Sequence, residues 1–221
     1  MAQILKNKKP IEQTRKNFET DNRFRKLLPD TAWNLLPKAV QKRFTKKVTG
    51  NNTVVFSGKS DEVRMSWLGQ MFANIARVIG APLPLRKELD MPSVVSVTED
   101  VVKGGQTWTR LYATRHGFPQ IIHSAKRFRG HTGLEEYIGY GISIALKVGV
   151  DDGVLTFESD GLIFELFNQR IRVPDALIPF DLTIRHQNID DEQFYFYLEL
   201  SNAIFGELIY QKVLYREMSE L

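Results

Sequence analysis

The sequence predicts an α+β fold that is mainly β: a curved antiparallel sheet of about nine or ten strands, forming a barrel or half-barrel that wraps one amphipathic helix, with short helices at the N-terminus. Three observations carry this. The stretch 139–167 alternates apolar and polar residues around two Asp-Gly pairs. From Pro92 onward nearly every segment between turn residues has strand character. Residues 66–79 carry the clearest helical spacing of the chain. A sheet of that size curls, because twist accumulates from strand to strand.

The chain has 221 residues, enough to bury roughly 70% of its unfolded surface. It reads as one globular domain over 21–221 behind a flexible basic arm, 1–20. There is no cysteine. That excludes disulfides, thiolate metal sites and cysteine nucleophiles, and it fits a reducing, cytoplasmic setting. No run approaches the roughly 20 apolar residues that span a bilayer, and Met1 to Pro10 lacks the apolar core of a signal peptide. The net charge of +4 conceals an imbalance. Residues 1–50 hold 13 Lys and Arg against 4 Asp and Glu, whereas the remainder holds 17 against 22. The arm is expected to be a solvated tail; an anionic surface or an acidic partner is the target its charge would suit.

Taken in order, Asp21 is placed to cap a short helix over Asn22 to Leu28, which Pro29 stops. Pro37 suits the first turn of a helix reaching about Lys46, with Val40 and Phe44 on one face. Trp33, Leu35 and Leu36 are expected to anchor this region. Thr53 to Phe56 reads as a strand with Gly58 near its end. Ser66 caps the main helix, whose apolar stripe is Leu68, Met71, Phe72, Ile75 and Ile79. Arg77 lies in its last turn, and Gly80, Pro82 and Pro84 close it. Strands follow at Ser93 to Lys103, Gln106 to Ala113, Phe118 to Arg129 and Leu134 to Tyr137. After the 139–167 stretch comes a proline-bounded turn, Pro174 to Pro179. Alternating strands at 180–187 and 194–200 and a last strand, Gly206 to Tyr215, complete the chain.

Turn chemistry sets registers. If Asp152-Gly153 is a two-residue hairpin loop, Val150 faces Leu155 and Val148 faces Phe157. If Asp160-Gly161 is another, Phe157 faces Phe164 and Leu155 faces Leu166. Both turns place Ile142, Ile144, Leu146, Val148, Val150, Leu155, Phe157, Phe164 and Leu166 on one face. If Gly104-Gly105 is a third such loop, Val101 faces Trp108, Glu99 faces Arg110 and Val97 faces Tyr112. Glu99 and Arg110 then form a cross-strand ion pair among aromatic residues. If that face is interior, the pair could orient the polar head of a ligand. The candidate ligand-binding residues are accordingly Glu99, Trp108, Arg110, Tyr112 and His123.

Other chemistry is weakly supported. His116, His123 and His131 lack metal-ligand spacing. His123-Ser124 lacks the Gly-x-Ser-x-Gly elbow of a hydrolase. Lys126, Arg127 and Arg129 with His131 read as a solvated face, with phosphate binding as the alternative. Gly139-Tyr140-Gly141 lacks the third glycine and the helix of a dinucleotide fingerprint. No catalytic residue, cofactor or metal site is assigned, and no ribonucleoprotein signature supports specific nucleic-acid binding.

Several segments resemble the bacterial family of domains of unknown function numbered 4166. They are Phe24-Arg25-Lys26-Leu27-Leu28-Pro29 with Trp33 and Leu36-Pro37; Trp108-Thr109-Arg110; Asp152-Gly153-Val154-Leu155; Val173-Pro174 with Leu177 and Pro179; and Phe205-Gly206-Glu207-Leu208-Ile209-Tyr210. The basic arm departs from the family's usual start. The resemblance implies a single domain, often found after a saccharopine-dehydrogenase-like domain, and brings no established activity.

Three functions are therefore expected, in this order. The first is a non-enzymatic module that holds a small apolar or amphipathic, lipid-like ligand inside the curved sheet. The second is an interaction module for a redox enzyme domain. The third is a hydrolase or isomerase working through Glu99, Arg110 or His123.

Overall fold

A computed structural model describes residues 20–48, 53–78, 83, 89–167 and 169–218. The expected arm, up to residue 19, and the helix-closing Ile79, Gly80, Pro82 and Pro84 lie outside the described residues.

The strands are β1 (Val54–Met65), β2 (Pro92–Asp100), β3 (Gly105–Tyr112), β4 (Gln120–Arg127), β5 (Glu135–Gly139), β6 (Ile142–Asp151), β7 (Val154–Leu166), β8 (Gln169–Arg172), β9 (Asp181–Asn188), β10 (Gln193–Asn202) and β11 (Gly206–Glu217). Ten of them close an antiparallel barrel in the order β6-β5-β4-β3-β2-β1-β11-β10-β9-β7, with β7 returning to β6. The extra strand, β8, extends one edge of β7. Among the described residues the helices are α1 (Asp30–Leu35), α2 (Lys38–Phe44) and α3 (Trp67–Val78), with short 3-10 turns at Arg25–Leu27 and Asp175–Leu177. The expected helix over Asn22 to Leu28 is only the first of these turns. The Asp21 carboxylate instead accepts the backbone N–H and the guanidinium of Arg23.

The Asp152-Gly153 register is as expected: Val150 pairs with Leu155 and Val148 with Phe157. Both turn residues have positive φ, 46° and 75°, as a type I′ turn requires. Asp160-Gly161 is not a turn, because Asp160 does not take positive φ. The pair forms a bulge instead: Leu146 pairs with Ser159 but Ile144 with Leu162. One extra residue keeps Leu162 and Phe164 in the phase of the inner face. The stretch thus makes two long strands rather than three, and Leu166 ends up exposed.

Because neighbouring strands run antiparallel, successive connections alternate between two mouths. α3 leaves the end of β1 and covers one of them. Ser66 caps it as expected, accepting the Gly69 N–H at 3.0 Å. The expected stripe is only partly inward: Leu68 and Phe72 pack against the core, Met71 and Ile75 are exposed, and Ala73 and Ala76 are buried. The helix lies so close to β11 that a Cβ on Gly69 would sit 2.0 Å from the Leu208 carbonyl oxygen. Only small residues fit that contact. Phe72 completes it, edge-on to Phe180 at 5.5 Å.

The other mouth is covered by the N-terminal helices. Phe24, Trp33, Leu36, Val40 and Phe44 are buried against Leu155 and Phe157, beside the Asp152-Gly153 turn. Leu35, expected to help anchor them, is exposed. α1 was not foreseen as a helix; Pro29 and Pro37 begin α1 and α2 in turn.

Candidate functional site

The site is the inner wall formed by β2 to β5. Cross-strand pairs place Glu99 opposite Gln106, Gln106 opposite Lys126, and Lys126 opposite Glu136. Arg110 lies further along β3, opposite Val95. Its Nη1–H donates to Ser124 Oγ at 2.9 Å, and its Nη2 lies 3.6 Å from Glu136 Oε1. Lys126 Nζ forms a short ion pair with Glu136 Oε2. All three charged side chains are buried. Trp108 backs both cations, with its ring 5.4 Å from Lys126 Nζ and 5.8 Å from the Arg110 guanidinium.

Two cations share one carboxylate, and this count sets the electrostatics. Burial pushes the Glu136 carboxyl up, but Lys126 and Arg110 together hold it down at about 2. Lys126 lies below an ordinary lysine because burial, and then the Arg110 charge, outweigh what Glu136 restores. Tyr112 donates to Gln211 Oε1 at 3.4 Å, and Tyr215 bonds Ser93 Oγ at 2.7 Å. Burial raises both phenols, so neither is poised to ionise.

The triad separates two cavities. The larger, about 170 Å³, lies beneath α3. Its walls are mostly apolar, with Ile142, Ile144, Leu162, Leu182, Leu198 and Leu200 among them, and Arg110, Ser124 and Glu136 form its polar side. The smaller, about 60 Å³, lies beneath α2, where Arg43, Lys46, Arg110 and Lys126 interrupt an aromatic lining.

With this geometry in place, comparison with known proteins is informative. The family model for a domain of unknown function, DUF4166, matches residues 36–213. The chain belongs to this family. No curated protein and no solved structure shows significant similarity to it. Arg43, the triad and most of both cavity walls lie inside the stretch that defines the DUF4166 domain. The resemblance read from the short motifs is therefore correct and spans most of the chain.

Of the residues singled out from sequence, Trp108, Arg110 and Tyr112 share one face, as the parity argument required, and that face is the interior one. The pairing of Glu99 with Arg110 is wrong. The β2–β3 loop has four residues, Val101 to Gly104, closed by Gly104 N–H to Asp100 O at 2.8 Å and by the Asp100 carboxylate. Gly105 belongs to the strand, where a Cβ would lie 2.1 Å from the Lys126 carbonyl oxygen. The register slips while the facing is preserved, so Glu99 pairs with Gln106 and lines neither cavity. His123 sits on the outward phase of β4, exposed, 3.1 Å from Thr109 Oγ1, although it also contributes to the lining of the larger cavity. Arg110 and His123 both border the larger cavity but Glu99 does not, so the expected trio is not assembled at one site.

The basic cluster on β4 also divides. Lys126 turns inward, whereas Arg127 stacks on Tyr137 and Arg129 pairs with Glu135 and Glu165 on the other side. Among the described residues no three His, Asp or Glu side chains gather as metal ligands, and no helix is long and apolar enough to cross a membrane. Sequence reasoning missed Lys126 and Glu136 as interior charges. Their signal is register: once Arg110 is inside, the β3–β4 and β4–β5 pairings carry both inward. It also missed Arg43 and His186 at the second mouth.

Proposed function

We propose that this DUF4166 barrel is a non-enzymatic binding module that holds a small apolar or amphipathic molecule beneath α3. The observation that supports it is the cavity of about 170 Å³ with apolar walls and one charged side. Protein interiors are otherwise packed with few voids larger than a water. An apolar cavity of about 150 Å³ is enough to take up a benzene-sized molecule. Apolar walls would hold the body of the ligand, while Arg110 and Ser124 would orient its polar end. The test is native mass spectrometry of gently purified protein, with Leu198→Phe as the variant that narrows the cavity. A small molecule bound to the natural chain and lost from the variant is expected. Absence of any bound molecule, with no uptake of added octan-1-ol, contradicts the reading.

One observation favours a second reading, an interaction module for a neighbouring enzyme domain. Phe118, Tyr140, Phe167, Ile204 and Phe205 are exposed on connections at the mouth that α3 covers. Exposed apolar groups gathered at one end suit a protein contact. A redox enzyme domain enters only through the domain arrangement that the family suggests. Size-exclusion chromatography with a saccharopine-dehydrogenase-like domain tests it: co-elution that Phe205→Ser abolishes is expected, and separate elution contradicts it.

A further inference from the structure

The second mouth presents a buried donor edge that no acceptor fills. Arg43 comes from the last turn of α2, and its side chain is only 4% exposed. Its Nη1 lies 2.9 Å from His186 Nε2. An arginine can only donate, so His186 accepts there and carries its proton on Nδ1. Burial, reinforced by the Arg43 charge, pushes the His186 pKa well down, so the ring adds no second cation. The guanidinium also lies 4.5 Å over the Phe194 ring.

The remaining two nitrogens, Nε and Nη2, are buried and have no hydrogen-bond partner among the described residues. They form the guanidinium edge turned away from the side chain's own Cδ. Their two N–H bonds are parallel, the arrangement that grips a carboxylate with both oxygens. Glu217 does not fill this edge. Its Oε2 stops 3.8 Å from Nε, while its Oε1 is held by Lys46 Nζ at 2.6 Å. A buried charged donor left without an acceptor is costly, so the edge favours a ligand that brings a charged acceptor.

The surroundings point the same way. Four cations, Arg43, Lys46, Arg110 and Lys126, line the smaller cavity. Glu217 pairs with Arg43 and Lys46, Glu136 pairs with Arg110 and Lys126, and Asp190 adds its charge near Arg43. The rest of the wall is largely apolar and aromatic, including Phe56, Trp108, Phe157 and Phe196. We propose that this cavity is an anion site, in which Arg43 takes the carboxylate of a small organic acid whose apolar part lies against those rings. The proposal rests on the reading of the barrel as an amphipath binder and names a ligand class for it, a monocarboxylate, whose head lies at Arg43 rather than at Arg110 and Ser124. About 60 Å³ accommodates the head group and adjoining carbons. Arg110 and Ile184 line both cavities, so a longer tail would pass the triad toward the larger one.

Calorimetric titration with octanoate and with octan-1-ol tests this on the natural chain, Arg43→Met, Arg43→Lys and Glu217→Gln. The natural chain is expected to prefer octanoate by more than about tenfold, because a buried bidentate charge pair contributes at least that much. Arg43→Met is expected to lose the preference and to bind octan-1-ol as before. Arg43→Lys, which keeps the charge without the fork, should retain only part of it, and Glu217→Gln should tighten octanoate. Equal binding of octanoate and octan-1-ol by the natural chain overturns the anion site but leaves the barrel a binder of apolar molecules. Binding of neither overturns both. Octanoate binding that appears only in Glu217→Gln also overturns the site, since Glu217 itself then closes on Arg43.

Discussion

The two mouths of the barrel are closed by opposite means. α3 brings Gly69 against β11 and buries the small Ala73 and Ala76, a backbone-close cover that carries no charge inward. The N-terminal helices bring large rings, Trp33 and Phe44, and with them Arg43. An eight-stranded barrel is about filled by its own side chains, and ten strands leave room to spare. The caps therefore decide the character of the space left over. Under α3 it is roomy and apolar; under α2 it is small and cationic. Between them stands the triad of Arg110, Lys126 and Glu136, whose charges are placed by strand register and are only partly compensated within the wall.

This contrast can be broken in three places. The largest effect is expected at the triad. Glu136→Gln keeps the volume but leaves two buried cations without a carboxylate, and should cost about 3–5 kcal/mol in urea unfolding. A loss below about 1 kcal/mol would mean that water reaches the triad. The same carboxylate gives the pH dependence its sign. Its folded pKa of about 2 lies below the ordinary 4.5. Its contribution is therefore complete above about pH 4.5 and is lost as pH falls toward 2. Glu136→Gln should flatten that part of the stability profile.

The next effect is at the α3 mouth. Gly69→Ala forces the helix off the Leu208 carbonyl and should cost about 1–3 kcal/mol, with weaker uptake of octan-1-ol as the cavity roof shifts. An unchanged Tm would show that the roof is already loose. The smallest effect is expected at the other mouth. Arg43→Met removes a charge whose better edge is unfilled, and stability should stay within about 1 kcal/mol. A loss of several kcal/mol would make Arg43 a structural ion-pair member of the same kind as Glu136.

What was legible in the sequence follows from how locally it is determined. The Asp152-Gly153 register and the Ser66 cap depend on a few adjacent residues and were read correctly. So was the shared face of Trp108, Arg110 and Tyr112, which needs only a period of two; which side of the sheet it lies on needs the closed barrel. Partners across the sheet were not legible. Gly104-Gly105 has the composition of a two-residue turn, yet Asp100 closes a longer loop and Gly105 is needed inside the strand. Asp160-Gly161 looks like Asp152-Gly153 but forms a bulge, because β7 must continue to pair with β6 and β8. Glu136, two strands from Arg110, depends on the β3–β4 loop, whose length carries no register signal. Arg43 meets His186 across 143 positions, a proximity that only barrel closure creates. The α3 stripe misled for another reason: close packing favours alanine and glycine, which hydrophobic spacing underweights.

The central claim is that the interior, rather than the surface, takes up an apolar molecule. Methyl-resolved NMR during titration with octan-1-ol tests it most directly. Saturable shifts confined to Ile142, Ile144, Leu162, Leu198 and Leu200, which line the larger cavity, are the predicted result. Shifts only at the exposed Leu177 and Ile204, or none at all, would contradict it.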